Sequence, residues 1–117
     1  MPAINYALFI EQGVPFSASI LLKNPDDTPK DLSGFTAKMH LRQYKSHPDV
    51  LLELSTENSK ITVNPSGEVT LNLSATDTSS LLYSSVVYDL LLINGENTFR
   101  AVEGKVTVSG SVTTNTN

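Results

Sequence analysis

The sequence predicts an all-β fold in which two antiparallel sheets pack as a sandwich. Apolar and polar residues alternate from position 35 to 42 (FTAKMHLR). Because successive side chains of a strand point to opposite faces, this alternation predicts a strand with one buried face and one wet face. Turn-forming residues recur at intervals that suit short strands and exclude long helices. The 117 residues include no cysteine, so the core forms without disulfides.

Strand-like segments follow one another along the chain, at residues 4–11, 15–23, 35–44, 50–54, 60–63, 68–73, 86–93 and 98–108. This count of about seven to eight strands favours an immunoglobulin-like antiparallel β-sandwich. Asn94 and Gly95 predict the last hairpin, and residues 74–82 predict one helical turn at the end of the sandwich. We expect one domain over residues 1–108 and a flexible or partner-docking tail over residues 109–117.

Charge and hydropathy exclude several classes of partner. The 8 basic and 12 acidic residues give a net charge of -4, and the basic residues form no cluster. Nucleic-acid binding needs a basic footprint, so no nucleic-acid partner is predicted. No apolar run is long enough to span a bilayer, and the N-terminal residues lack the pattern of a signal peptide. We therefore expect no membrane partner.

Residues suited to catalysis or metal binding are few. His40 lies on the polar face of its predicted strand and His47 lies in a loop, neither within a recognisable catalytic or zinc motif. Asp26, Asp27 and Asp31 lack the spacing of a calcium loop, and turn formation explains them better. The sequence predicts a protein that is not an enzyme and has no cofactor and no metal.

An assembly surface is predicted instead. Leu21, Val87, Leu91 and Ile93 fall opposite the regular core positions, which marks either a covered sheet or an interface. Asp89 lies among apolar neighbours and needs a partner; Arg100 or Arg42 are the candidates, in a structural pair or an intersubunit salt bridge. With the polar face of residues 35–42, the candidate interface residues are Leu21, Thr36, Lys38, His40, Arg42, Val87, Asp89, Leu91, Ile93 and Arg100.

Two further features bear on assembly. Tyr88 has the position of a tyrosine corner, in which the hydroxyl satisfies a nearby backbone group; the alternative is a core aromatic residue with its hydroxyl at the rim. Residues 50–54 and 4–10 are expected to form edges that can add strands to the sheet of a neighbour.

Three segments resemble a widespread domain of tailed bacteriophages. They are GVPFSASILLKNPDDTPKDLSGFTAKMHLR (13–42), ITVNPSGEVTLNLSATDTSSL (61–81) and VYDLLLINGENTFRAVEGKVTVSGSVT (87–113). In this order they resemble the N-terminal domain of phage upper baseplate proteins and stand-alone virion proteins. The chain departs from the family pattern at Asp27, where an Asp-Gly turn is usual.

The resemblance implies an immunoglobulin-like or related β-sandwich that attaches to other virion proteins. It implies a non-enzymatic virion structural protein, made in the host cytoplasm, that serves as a baseplate, tail, neck or decoration subunit and forms a homo-oligomer in the particle. The alternative is a carbohydrate-binding or adhesion module on the same fold. That function requires exposed aromatic rings, for which the chain offers Tyr6, Tyr44 and Tyr83 but no tryptophan.

Overall fold

The computed structural model describes residues 3–110, which are mostly β-structure, as predicted. The described chain contains nine strands and one short helix. The elements are β1 (Ile4–Asn5), β2 (Leu8–Glu11), β3 (Phe16–Leu21), β4 (Thr36–Arg42), β5 (Leu52–Ser55), β6 (Ile61–Val63), β7 (Glu68–Leu73), α1 (Ala75–Ser79), β8 (Ser85–Asn94) and β9 (Asn97–Ser109). The predicted tail lies outside the described residues beyond position 110.

The strands form two sheets that share one core. The larger sheet has the order β1-β9-β8-β4-β5, with β2 also paired to β9, and the smaller sheet has the order β3-β7-β6. Met39 of β4, Leu71 of β7 and Leu90 of β8 belong to the same buried cluster. Full burial of such side chains contributes about 1.5–3 kcal/mol each, so the core between the sheets holds the two layers together.

The alternation of residues 35–42 determines which face of β4 enters the core, as predicted. Ala37, Met39 and Leu41 are buried. Phe35 packs edge-on against Phe99, with ring centroids 5.7 Å apart. The remaining side chains of β4 therefore form part of the opposite, outer face of the larger sheet.

The predicted turns connect these strands. Gly95 has a φ of 62° between the last pair of β8 and β9 residues, Asn94 and Asn97. The predicted helical turn is α1, whose N-cap is Ser74 and whose capping box is completed by Asp77. Asp77 Oδ2 also lies 2.6 Å from Nζ of Lys60, and this bond, more than any other contact, lowers the pKa of the Asp77 carboxyl group. The short helix is thereby tied to the segment that leads into β6.

The N-terminal segment differs from its prediction. The single strand expected at residues 4–11 is divided into β1 and β2, and both run parallel to β9, whereas the sequence predicts antiparallel pairing. The interruption falls at Tyr6 and Ala7. Tyr6 donates its N–H to the carbonyl of Glu103 at 2.9 Å, so the segment stays attached to β9 where the strand is interrupted.

Tyr88 and Gly104 explain why the N-terminal segment lies so close to β9. The Tyr88 hydroxyl donates a hydrogen bond of 2.6 Å to the carbonyl oxygen of Tyr6. A Cβ atom at Gly104 would lie 2.4 Å from that same oxygen. In a tyrosine corner the hydroxyl reaches backbone a few residues upstream, but here the acceptor is 82 residues away. Tyr88 is thus a core residue whose hydroxyl anchors the N-terminal segment.

We expect Gly104→Ala to destabilise the fold, because its methyl group must displace the backbone of Tyr6. The expected loss is about 2 kcal/mol in the free energy of unfolding, typical of overpacking, and urea titration measures it. Gly110→Ala is the matched control, since nothing lies within 4 Å of a Cβ at that position. Equal stability of Gly104→Ala and wild type would contradict this account of the N-terminal segment.

We expect Tyr88→Phe to lower the free energy of unfolding by about 1–2 kcal/mol, because the buried hydroxyl bond is lost. Burial raises the pKa of Tyr88 above its ordinary value of 10.0, so the folded state holds the phenolic proton more tightly than the unfolded state. The stabilisation is fully present below pH 10.0 and decreases above it. Urea titrations at increasing pH should show that the difference in the free energy of unfolding between wild type and Tyr88→Phe becomes smaller. A difference that stays constant with pH would refute the role given to the Tyr88 hydroxyl.

Candidate functional site

The outer face of the larger sheet brings together most of the predicted interface residues. The outward residues of β4 and β8 lie directly opposite one another, as the pairs Thr36–Ile93, Lys38–Leu91, His40–Asp89 and Arg42–Val87. These side chains are half-buried except for that of Thr36, which is exposed. We call this surface, together with Arg100, Glu103 and Lys105 of β9, the outer face.

Charges on the outer face are arranged in rows across the strands. Lys38 and Arg100 flank Leu91 in one row, and Arg42 and Lys105 flank Val87 in another. The row between them contains His40, Asp89 and Glu103, and it continues to Glu53 of β5. The outer face therefore presents an acidic row with one histidine between two basic rows. Each basic row has an apolar residue at its centre.

A β-bulge positions Arg100 on this face. The pairing of β8 with β9 shifts register between Leu90, which lies opposite Val102, and Leu91, which lies opposite Arg100. One extra residue in a bulge reverses the alternation of the residues that precede it. Ala101 and Val102 are consequently both buried, and Arg100 faces outward. The sequence pattern contains no signal for this bulge.

Arg100 is the partner of Asp89, one of the two arginines proposed for it. Its Nε donates to Oδ2 of Asp89 at 3.1 Å and lies 4.0 Å from Oε1 of Glu103. Arg42 instead donates from Nη1 to the carbonyl of His47 at 2.7 Å, which fixes the loop that follows β4. His40 also has a partner on this face, because its Nε2 lies 3.3 Å from Oε2 of Glu53.

These charged side chains border an open depression of about 230 Å³. Its lining includes His40, Arg42, Lys45, Asp89 and Glu103. Charges of both signs surround it, so the depression suits polar side chains of a protein surface better than a ligand of one charge.

Leu21 does not belong to the outer face, and its grouping with Val87, Leu91 and Ile93 is wrong. It lies at the end of β3, which belongs to the smaller sheet and pairs there with β7. Its side chain is 49% exposed on the other side of the molecule's core. Alternation within one strand shows which residues avoid the core, but it does not show to which sheet the strand belongs.

The remaining candidates have structural roles. Asp26 Oδ1 accepts bonds from the hydroxyl and N–H of Thr28, and these bonds, the hydroxyl first, lower the pKa of Asp26. Asp31 accepts from Ser33 in the same way. His47 Nδ1 accepts from the N–H of Asp49 at 3.0 Å. Within residues 3–110, no three His, Asp or Glu side chains are grouped as metal ligands would be.

Several exposed apolar residues have no sequence signal. Phe9 is 72% exposed and Leu82 is 81% exposed. The sequence predicts a strand around Phe9 and a helical turn that ends at Leu82, and neither prediction indicates an exposed apolar side chain. The predicted exposure of Tyr6, Tyr44 and Tyr83 is confirmed. Tyr44 packs edge-on against His47, with ring centroids 4.8 Å apart.

No protein-family model matches the chain, and a search of curated proteins finds no significant match.

Across positions 3–110, no helix has the length and apolar character needed to cross a membrane.

We expect the Asp89–Arg100 ion pair to contribute little to folding, because both side chains are more than a third exposed. A double-mutant cycle with Asp89→Asn and Arg100→Gln should give a coupling energy of about 0.5 kcal/mol in the free energy of unfolding. Lys23 and Asp27, an exposed pair at 3.3 Å, provide a matched control cycle. A coupling energy several times that of the control would show that the pair stabilises the fold.

Proposed function

We propose that this protein is a non-enzymatic structural component of a bacteriophage virion that acts through protein–protein contacts. The outer face is the observation that carries the proposal. It combines the apolar side chains of Val87, Leu91 and Ile93, of which Val87 is separated from the other two by Asp89, with charges of both signs, a composition suited to docking on another protein. The resemblance of three ordered segments to phage baseplate and virion domains supplies the biological setting.

The topology supports an immunoglobulin-like form of the sandwich. In such sandwiches one sheet contains strands B, E and D and the other contains G, F and C, with C′ added in some members. The orders β3-β7-β6 and β9-β8-β4-β5 correspond to B-E-D and G-F-C-C′. The N-terminal strands would then be the first strand of the fold, placed beside β9 rather than β3.

The turn around Asp27, between β3 and β4, also supports the resemblance. Asp27, at the position where the phage pattern has glycine, adopts a φ of 73°. Glycine takes this left-handed conformation without strain, and aspartate is one of the few other residues that tolerate it. The departure at Asp27 therefore preserves the turn.

The repeated geometry of a virion suits this surface. Moderate contacts become strong when many identical subunits make them together. Baseplate, tail, neck and decoration positions all meet this condition, and we propose the outer face as the surface that contacts the neighbouring virion protein.

The proposal is tested by measuring whether the protein is present in particles of the phage that encodes it. The wild-type protein should be found by mass spectrometry in purified virions. When variants are supplied from a plasmid to phage lacking the gene, we expect Leu91→Asp to reduce incorporation about tenfold or more, because the apolar contact of Leu91 is lost and a hydrated carboxylate must be desolvated at the interface. The new carboxylate lies between Lys38 and Arg100, so folding should be preserved.

Leu82→Asp is the matched control, because it makes the same change at an exposed leucine away from the outer face. Normal incorporation of this control together with loss of Leu91→Asp supports the proposal. Absence of the wild-type chain from purified virions would refute the virion role. Equal incorporation of the wild type and Leu91→Asp would refute the role of the outer face.

A further inference from the structure

Strand β3 forms an open edge of the smaller sheet. Within residues 3–110 it pairs with β7 alone. Its six residues, FSASIL, contain no charge and no proline, and its pairing with β7 has no register shift. Natural proteins usually protect an edge with charges, prolines, bulges or a very short strand. Strand β3 has none of these protections.

The hydrogen-bond register shows which backbone groups of β3 point outward. In an antiparallel pair, residues that exchange hydrogen bonds alternate with residues that do not. Leu22 N–H donates to the carbonyl of Gly67 at 2.8 Å, which extends the β3–β7 register by one pair. Residues 16, 18 and 20 therefore bond to β7, and the N–H and C=O groups of Ser17, Ser19 and Leu21 point away from it.

The other long edge of the molecule is closed by a side chain. On β5, the outward N–H of Ser55 donates to Oδ1 of Asn58 at 2.9 Å, and the outward carbonyl of Glu53 accepts from Nδ2 of the same residue at 2.9 Å. Asn58 thus occupies the groups that an added strand would need. A strand added at residues 50–54, as the sequence predicts, would therefore find the carbonyl of Glu53 and the N–H of the adjoining Ser55 already bonded.

The N-terminal edge is shorter and partly occupied. Strand β2 contains four residues, and the carbonyl of its last residue, Glu11, accepts from the N–H of Val14 at 3.2 Å. Glu11 also places a negative charge at the end of this edge. Strand β6, the other edge of the smaller sheet, has only three residues. Of the edges that the described residues form, β3 is therefore the one best prepared to accept another strand.

We propose that two copies of this chain pair through β3, antiparallel and centred on Ser19. In this register Ser19 lies opposite Ser19 of the partner subunit, and Ser17 lies opposite Leu21 of the partner subunit. Each opposed pair exchanges both of its hydrogen bonds, so every outward backbone group of β3 is used. The smaller sheets of the two copies then join as one continuous sheet.

The composition of β3 favours a second copy as the occupant. A twofold antiparallel contact places the same strand on both sides, and β3 carries no charge that would repel its copy. Pro15 restricts the register, because a shift of the centre to residue 18 places Leu21 opposite a proline that has no N–H to donate. Centring on Ser19 avoids this loss.

The side chains on the exposed surface of the smaller sheet fit this arrangement. Ser17 Oγ donates to Oδ1 of Asn72 at 3.1 Å, and the hydroxyls of Ser19 and Thr70 are 3.1 Å apart. These side chains are bonded within the sheet and small, so they leave the edge accessible. Leu21, which is 49% exposed, lies next to the small side chain of Ser17 of the partner subunit. This pairing site is separate from the outer face and does not depend on the virion role.

The test is the oligomeric state of the full chain over a concentration series, measured by size-exclusion chromatography with light scattering. Wild type should approach twice the chain mass of 12.7 kDa. Ser19→Pro removes an N–H that does not bond to β7, so the fold should survive, while the two central bonds of the dimer are lost. We expect association about thirtyfold weaker. Ser19→Thr, which keeps the N–H and favours strands, is the control and should still dimerise.

Amide hydrogen exchange provides a second measurement that needs no variant. The N–H groups of Ser17, Ser19 and Leu21 should become protected as concentration rises, while that of Phe9 on β2 should not change. A wild-type chain that stays monomeric, or a dimer that protects β2 and leaves these three amides exchanging rapidly, would overturn the proposal. A folded Ser19→Pro variant that dimerises like wild type would overturn it as well.

Discussion

The two-residue alternation of strands β4 and β8 is the constraint on which the rest of the molecule depends. These strands lie next to each other at the centre of the larger sheet, and each sends every second side chain into the core. Met39 and Leu90, directly opposed, are 2% and 0% exposed. Since the pleat sends the intervening side chains to the other side, the same pattern that builds the core also creates the outer face. A one-residue slip of either strand would exchange core and surface.

The second determinant is the closure of the sheet by the N-terminal segment. Strand β9 holds β8 on one side and the parallel strands β1 and β2 on the other. The carbonyl oxygen of Tyr6 lies against Gly104 and accepts a hydrogen bond from the hydroxyl of Tyr88. The buried phenol of Tyr88, the absence of a side chain at Gly104 and the interruption between β1 and β2 therefore depend on one another. This contact also holds β1 and β2 against the second half of β9, so that these two strands form the edge of the larger sheet there.

The two proposed contact surfaces use different physical means. The outer face offers side chains, with apolar centres between rows of alternating charge, and so it favours a partner of complementary charge pattern. The edge of β3 offers backbone groups, which recognise any strand of suitable register and are satisfied by the strand's own copy. A subunit with both surfaces can pair with itself and still present its outer face to a different protein.

The sequence by itself determined the all-β fold class, most strand positions and the division of strands such as β4 and β8 into core and surface residues, because period-two alternation and turn residues are local properties. It placed Ala37, Met39 and Leu41 in the core and named most of the outer face. It did not determine which sheet receives each strand, and the predicted grouping of Leu21 with residues of the outer face is wrong for that reason. The parallel pairing of the N-terminal strands, the bulge that directs Arg100 outward and the closure of β5 by Asn58 were decided only by tertiary structure. Each depends on contacts between segments or on local backbone geometry that leave no periodic trace in the sequence.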